Sequence, residues 1–112
     1  MPNELFLVDT SAWIFALRKE PVVQIKDRID SLLKEDTVVT MGLIKLEILT
    51  GAKNEKEYRR LKSRFDALGS IETDDELWQK ACANGFKLRR IGLTVPSTDV
   101  LIASCALQAG AV

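Results

Sequence analysis

Apolar positions along the chain change their period repeatedly, and each change marks an element. Residues 5–8, "LFLV", form a continuous apolar run that ends in the helix-start signal "DTS", which predicts a strand covered on both faces of a parallel sheet. From Pro21 onward Val22, Ile25, Ile29, Leu32 and Leu33 recur at helical spacing, with Lys26, Arg28 and Lys34 on the other side. One stripe of that helix therefore packs. The β-branched run "TVVT", 37–40, reads as the second strand, and "GLIKLEILTG" reads as a helix that Gly51 closes. Tyr58, Leu61, Phe65 and Leu68 outline a further helix stopped by Gly69, after which "SIET", 70–73, predicts a short edge strand. Thr73 and Glu76 form a capping box for a helix carrying Leu77, Trp78, Ala81 and Leu88. A loop with Gly92 and Pro96 leads into a last helix, "STDVLIASCALQAG", capped by Ser97 or Thr98 and ended by Gly110. Parallel strands need crossover connections, and the crossovers cover both faces. The fold class is thus α/β, a three-layer α/β/α sandwich with a central parallel sheet.

Composition narrows the chemistry. The 112 residues fit one domain, 1–112, long enough to hide roughly two thirds of the unfolded surface. Sixteen basic side chains balance sixteen acidic ones, so no net field draws the molecule onto nucleic acid and any such binding is local. The longest apolar run, "AWIFAL", is far short of the roughly 20 residues of a membrane span, and the opening "MPNEL" lacks a basic leader. The expected location is cytoplasmic. Cys82 and Cys105 form no CxxC pair and read as buried, reduced thiols. Histidine is absent, which removes the commonest general base and the usual transition-metal ligand. Any chemistry must run on carboxylates.

Most of the acids lie in mixed charged runs such as "KDRID", "NEKEYRR" and "DDE", as a solvated surface would have them. Asp9, Glu47 and Asp99 instead adjoin strongly apolar segments. In parallel α/β folds the carboxyl ends of strands and the amino ends of the following helices share the rim where ligands bind. Asp9 ends the first strand and Asp99 lies in the first turn of its helix. Glu47 is about five residues into its helix, roughly 7 to 8 Å from the start, but helical side chains lean toward the amino end and a long glutamate reaches back. Two carboxylates about 4 Å apart repel by roughly 4 kcal/mol at an effective dielectric near 20. A cation between them is required, and oxygen donors without histidine or a cysteine cluster select Mg²⁺ or Mn²⁺. Such a site suits metal-assisted phosphodiester hydrolysis. Capping of a helix by Asp9, an ordinary first-turn Asp99 and a solvent-facing Glu47 are the competing structural readings.

The three segments carry a resemblance. "FLVDTSAWI" resembles the opening of the PIN-domain ribonucleases, particularly the toxin components of VapBC-type toxin–antitoxin modules. "GLIKLEILTGA" resembles their second acidic motif and "VPSTDVLIASCAL" their third, in the same order across essentially the whole chain. The resemblance implies a metal-dependent endoribonuclease with Asp9, Glu47 and Asp99 as catalytic, metal-binding acids, RNA as substrate, a homodimeric state and a cognate antitoxin partner. Family members continue past "AGAV" through a further strand and a further acid, whereas this sequence stops at Val112 before both; the resemblance leaves two expectations, a C-terminally incomplete sequence or a PIN-like domain that lacks the closing strand and its acid.

Other features are less specific. The basic clusters Lys53, Lys56, Arg59, Arg60, Lys62, Arg64 and Lys87, Arg89, Arg90 read as solvated helix faces before phosphate contacts. Trp13, Ile14 and Phe15 are consecutive, so one helix cannot turn all three into its own core, and part of that surface is available to a subunit or antitoxin. Thr10 and Ser11 fit either helix capping or positioning of a water or substrate oxygen near the metal. The rival class is a non-catalytic PIN-like module that dimerises or binds a partner. A haloacid-dehalogenase phosphatase would need an acid two residues after Asp9, where Ser11 stands, and a response-regulator domain would need a neighbouring acidic pair and a late lysine.

Overall fold

The structure, a computed structural model, describes residues 4–112. Three parallel strands, β1 (Phe6–Leu7), β2 (Val38–Met41) and β3 (Gly69–Ile71), form a sheet in the order β1-β2-β3. Phe6 pairs with Val38 and Leu7 with Val39, and Val39, Thr40 and Met41 pair with Gly69, Ser70 and Ile71. β2 is central, and its side chains point alternately to the two faces. Val38, Thr40 and Met41 are buried and Val39 is half-buried, so both faces are covered.

The cover comes from six helices: α1 (Thr10–Leu17), α2 (Val23–Lys34), α3 (Gly42–Thr50), α4 (Glu55–Asp66), α5 (Asp75–Arg90) and α6 (Ser97–Ala109). One apolar core joins strands and helices. Met41 of β2, Ile44 of α3, Leu77 of α5 and Cys105 of α6 are all fully buried in it. Trp13 of α1 meets Phe65 of α4 edge-on, with ring centroids 4.8 Å apart. Lys45 of α3 bonds Asp66 of α4 at 2.6 Å, and Lys62 takes the other oxygen of the same carboxylate at 2.6 Å. Among the described residues no helix is long and apolar enough to cross a membrane.

Beyond α6 the backbone returns to the sheet. Val112 N donates to Leu5 O (2.8 Å) and Val112 O accepts from Leu7 N (3.0 Å), on the edge of β1 opposite β2. This is a parallel ladder contact. The chain therefore re-enters at the amino end of β1, and α6 runs against the strand direction. Its 13 residues span about 20 Å, which carries its amino end, with Asp99, to the carboxyl rim of the sheet.

Several local expectations are corrected. β1 holds only Phe6 and Leu7, because Asp9 leaves the ladder to start α1. α2 begins at Val23, two residues after Pro21. α4 ends at Asp66, so Gly69 opens β3 instead of stopping a helix. The cap of α5 is Asp74, whose Oδ1 accepts from Leu77 N at 2.8 Å; Thr73 stands one residue too early for that bond. The N-cap of α6 is Pro96, with no side-chain cap bond, and Ser97 and Thr98 are already in the first turn. Gly51 and Gly110 do end α3 and α6, and Gly110 takes φ +67°, where glycine is favoured. Cys105 is buried, and burial pushes its thiol above the ordinary 9.0. Cys82 and Trp78, read as inward, are exposed: each is one residue past the buried Leu77 and Ala81 and so rotated a full 100° away from the packed stripe.

Candidate functional site

The site begins at the junction of β1 and α1. Asp9 is exposed and N-caps α1, its Oδ1 accepting from Ala12 N at 2.8 Å. The structural reading of Asp9 as a cap is therefore realised. It uses one carboxylate oxygen and leaves the other for a different partner. The next residue, Thr10, donates from Oγ1 to Glu47 Oε1 at 2.7 Å. This bond spans 37 positions of sequence and ties the middle of α3 to the first turn of α1. Glu47 is half-buried. The short bond with a hydroxyl donor orients the carboxylate, as charge-assisted bonds do.

Asp99 sits in the first turn of α6, exposed, between the capping segment and the buried Val100 and Leu101. It shares the carboxyl rim with the other two, and α6 packs against α3, the helix of Glu47. The uncapped N–H groups of that turn favour a negative charge there. Asp9, Glu47 and Asp99 have no ion-pair partner among the described residues. Lysine and arginine thus leave all three carboxylates un-neutralised.

The three acids do not form a tight cluster. Among the described residues, no group of three or more His, Cys, Asp or Glu side chains is placed so as to hold a metal ion. The structure links the turn of Asp9 to Glu47 through Thr10, and Asp99 takes no part in these hydrogen bonds. The donor set is all hard oxygen and negatively charged, which fits Mg²⁺ or Mn²⁺ in kind. The bond from Thr10 to Glu47 is a feature that sequence reasoning missed, since it offered Thr10 only as a helix cap or as a positioner of a water or substrate oxygen. Its only sequence signal was a hydroxyl residue directly after a strand-terminal acid.

Around the acids the surface is mixed. Trp13 is buried, whereas Ile14 and Phe15 are exposed, as their consecutive positions require, and Arg18 stacks over Phe15 at 5.1 Å. On α4, Arg59 pairs with Glu55 and Lys62 with Asp66, so part of that basic cluster is spent within its own helix.

Comparison with known proteins places this architecture. Residues 6–112 match the PIN domain family. Ribonuclease VapC11 of Mycobacterium tuberculosis is 32% identical over 111 residues, an alignment that covers 96% of this chain and 82% of that protein. The fold is similar to FitAcB from Neisseria gonorrhoeae, with a TM-score of 0.75 at 21% identity over 96% of this chain and 84% of that one. It is also similar to VapBC2 from Rickettsia felis bound to a DNA fragment from their promoter, with a TM-score of 0.73 at 22% identity over 96% and 83%. The strand order and these matches lead to one assignment: the chain belongs to the PIN-domain family.

Proposed function

We propose that this chain is a metal-dependent ribonuclease of the VapC type, the toxin of a toxin–antitoxin module, that hydrolyses RNA phosphodiester bonds. The observation that carries the reading is the Thr10–Glu47 hydrogen bond, which brings the acid of α3 to the turn that holds Asp9 without any cationic side chain neutralising either. Support for the substrate class comes from relatives such as Ribonuclease VapC11, and support for an antitoxin partner comes from the similarity to VapBC2.

In this reading Asp9, Glu47 and Asp99 hold a divalent cation, Mg²⁺ or Mn²⁺, and are the catalytic acids. Such an ion supplies a water of lowered pKa and positive charge for the phosphate oxygens. The chain's own residues do the positioning. Asp9 keeps one oxygen on the helix cap, which fixes its carboxylate plane and leaves the second oxygen for a ligand. Thr10 holds Glu47 in one rotamer. The first turn of α6 offers Asp99 beside free N–H groups that favour an anion at the same rim.

A fluorescent RNA substrate titrated with Mg²⁺ and Mn²⁺ tests the proposal. Hydrolysis that requires either ion, is stopped by EDTA and is lost in Asp9→Asn supports it. The second reading, a non-catalytic module, rests on the lack of a three-acid cluster among the described residues. RNA left intact at all metal concentrations, with a folded protein, would favour that module.

A further inference from the structure

The last turn of α5 and the first turn of α6 border one groove, and both bring positive charge to it. Lys87, Arg89 and Arg90 stand in the last turn of α5, all exposed and none with an ion-pair partner among the described residues. Three full charges exceed the half charge of the helix end they adjoin. On α4, by contrast, Arg59 and Lys62 are held by Glu55 and Asp66. α6 starts at Pro96 with no side-chain cap, so the N–H groups of its first turn favour an anion. The groove encloses about 570 Å³, with Arg89 and Ser97 at one end and Phe86 and Trp78 along it. Both rings are exposed, Phe86 at 66% and Trp78 at 51%.

Exposed rings beside unpaired cations suit a ligand that is both flat and anionic. An unpaired nucleotide is such a ligand: its base stacks on an aromatic face while its phosphate takes the cation. A duplex keeps its bases stacked inside and offers the rings nothing. An acidic peptide would satisfy the cations and leave the rings without a stacking partner. The acidic first turn of α5, with Asp74, Asp75 and Glu76, lies beyond Trp78 and repels a phosphate there, so the favourable track ends at that ring. Its other end leads to the rim acids. Ser97 and Asp99 lie two residues apart in one turn, about 200° around α6 and thus about one helix width, 10–12 Å, from each other. A strand that crosses the amino end of α6 passes from Asp99 into the groove.

We propose that the groove between α5 and α6 is a binding subsite for single-stranded RNA next to the bond being cut. The backbone crosses the amino end of α6, a phosphate meets Arg89, and unpaired bases lie on Phe86 and Trp78. These residues bind and take no part in the chemistry. The nucleotide they hold is a neighbour of the cleaved one, so the groove selects substrate that is unpaired beside the cut. The inference rests on the ribonuclease reading of the rim acids, but binding in the groove needs no metal and is measured without it.

Equilibrium binding of a single-stranded RNA oligonucleotide to the 112-residue chain, in EDTA so that no metal-dependent cleavage consumes it, tests the subsite. The Kd should rise about tenfold in Phe86→Ala and stay within about twofold of the parent in Phe86→Tyr, since only the first loses a stack. Arg89→Ala should lower the slope of log Kd against log salt by about 0.7, and Phe86→Ala should leave that slope unchanged. Tryptophan emission gives a separate sign. RNA should quench the exposed Trp78, an effect absent in Trp78→Phe, because Trp13 is only 5% exposed. With Mn²⁺ added, Phe86→Ala should raise KM and spare kcat, as loss of uniform binding does. Circular dichroism and sedimentation confirm that each variant keeps its fold and assembly. An unchanged Kd in Phe86→Ala, a duplex bound as tightly as the single strand, or an affinity loss seen only where sedimentation also changes would overturn the proposal. So would quenching of Trp78 by an acidic peptide and not by RNA, which would assign the groove to a protein. Failure of the nuclease reading looks different: no Mn²⁺-dependent cleavage by the parent, with these binding effects intact, would retire that reading and leave the groove an RNA-binding site.

Discussion

A single carboxylate at Asp9 has two separable duties, and substitution can split them. One oxygen caps α1 through Ala12 N, a bond that asparagine replaces well. The charge is what a divalent ion would need. Asp9→Asn is therefore expected to keep the melting temperature within about a degree and to lose RNA cleavage, whereas Asp9→Ala should lose cleavage and also about 1 kcal/mol of stability. Thermal denaturation beside an RNA cleavage assay checks both; equal destabilisation by the two variants would mean that the cap is not the structural role. Thr40 shows the opposite case. It is fully buried in β2, and its Oγ1 has no hydrogen-bond partner among the described residues. A buried hydroxyl without a partner loses its hydration for nothing in return. Thr40→Val should thus raise stability by about 1 kcal/mol in a urea melt, and a clear loss would reveal an unseen acceptor.

Between elements, the Asp66 carboxylate joins α4 to α3, bonded by Lys62 of its own helix and by Lys45 of α3. Hydrogen bonds from Lys45 and then Lys62 hold it below its ordinary 3.8, while its bond to Lys62 lifts that ammonium above 10.5. The signs define a window. Asp66 has a depressed folded pKa, so its contribution is complete above 3.8 and disappears as pH falls through the lowered value. Lys62 has a raised folded pKa, so its contribution is complete below 10.5 and disappears as pH rises through the raised value. Asp66→Asn should cost stability between these limits and nothing at either extreme. Urea midpoints of both proteins across pH would show the gap closing at the acid end; a gap persisting there would mean that packing, and not charge, is lost. These groups are exposed, so high salt should narrow the gap at neutral pH as well. Element boundaries were legible from sequence where a residue has one conformational use. Gly51 and Gly110 end helices as expected. Boundaries shifted where neighbours compete for one role, as Thr73 and Asp74 do for the α5 cap, because only the donor position of Leu77 N decides between them.

For the molecule as a whole, periodicity conveyed the parallel α/β plan, since short apolar runs and helical stripes alternate along the entire chain. The three acids stood out as candidates for a related reason: they interrupt apolar segments at positions expected at the ends of strands and the starts of helices. Their mutual distances were not legible, because these depend on how α6 tilts across α3, a packing angle set by many side chains. Nor could the pattern reveal that α5 turns Trp78 and Phe86 outward, for an apolar residue reads alike whether it faces a core or a binding partner. The gap between the rim acids bears on a last prediction. Carboxylates that share a rim without a preformed cluster should hold a divalent ion weakly and gain from it in folding. Ligand linkage gives RT ln(1 + [L]/Kd), or about 1.4 kcal/mol at ten times Kd. For a chain of 112 residues that corresponds to a rise in melting temperature of about 4 to 6 °C. Titrating Mn²⁺ into the parent protein should show this rise with a midpoint in the millimolar range. In Asp9→Asn the midpoint should move to higher concentration and in Asp99→Asn likewise, because each removes one charge from the same ion. An identical Mn²⁺ response in all three proteins would place the ion elsewhere and detach the rim acids from metal binding altogether.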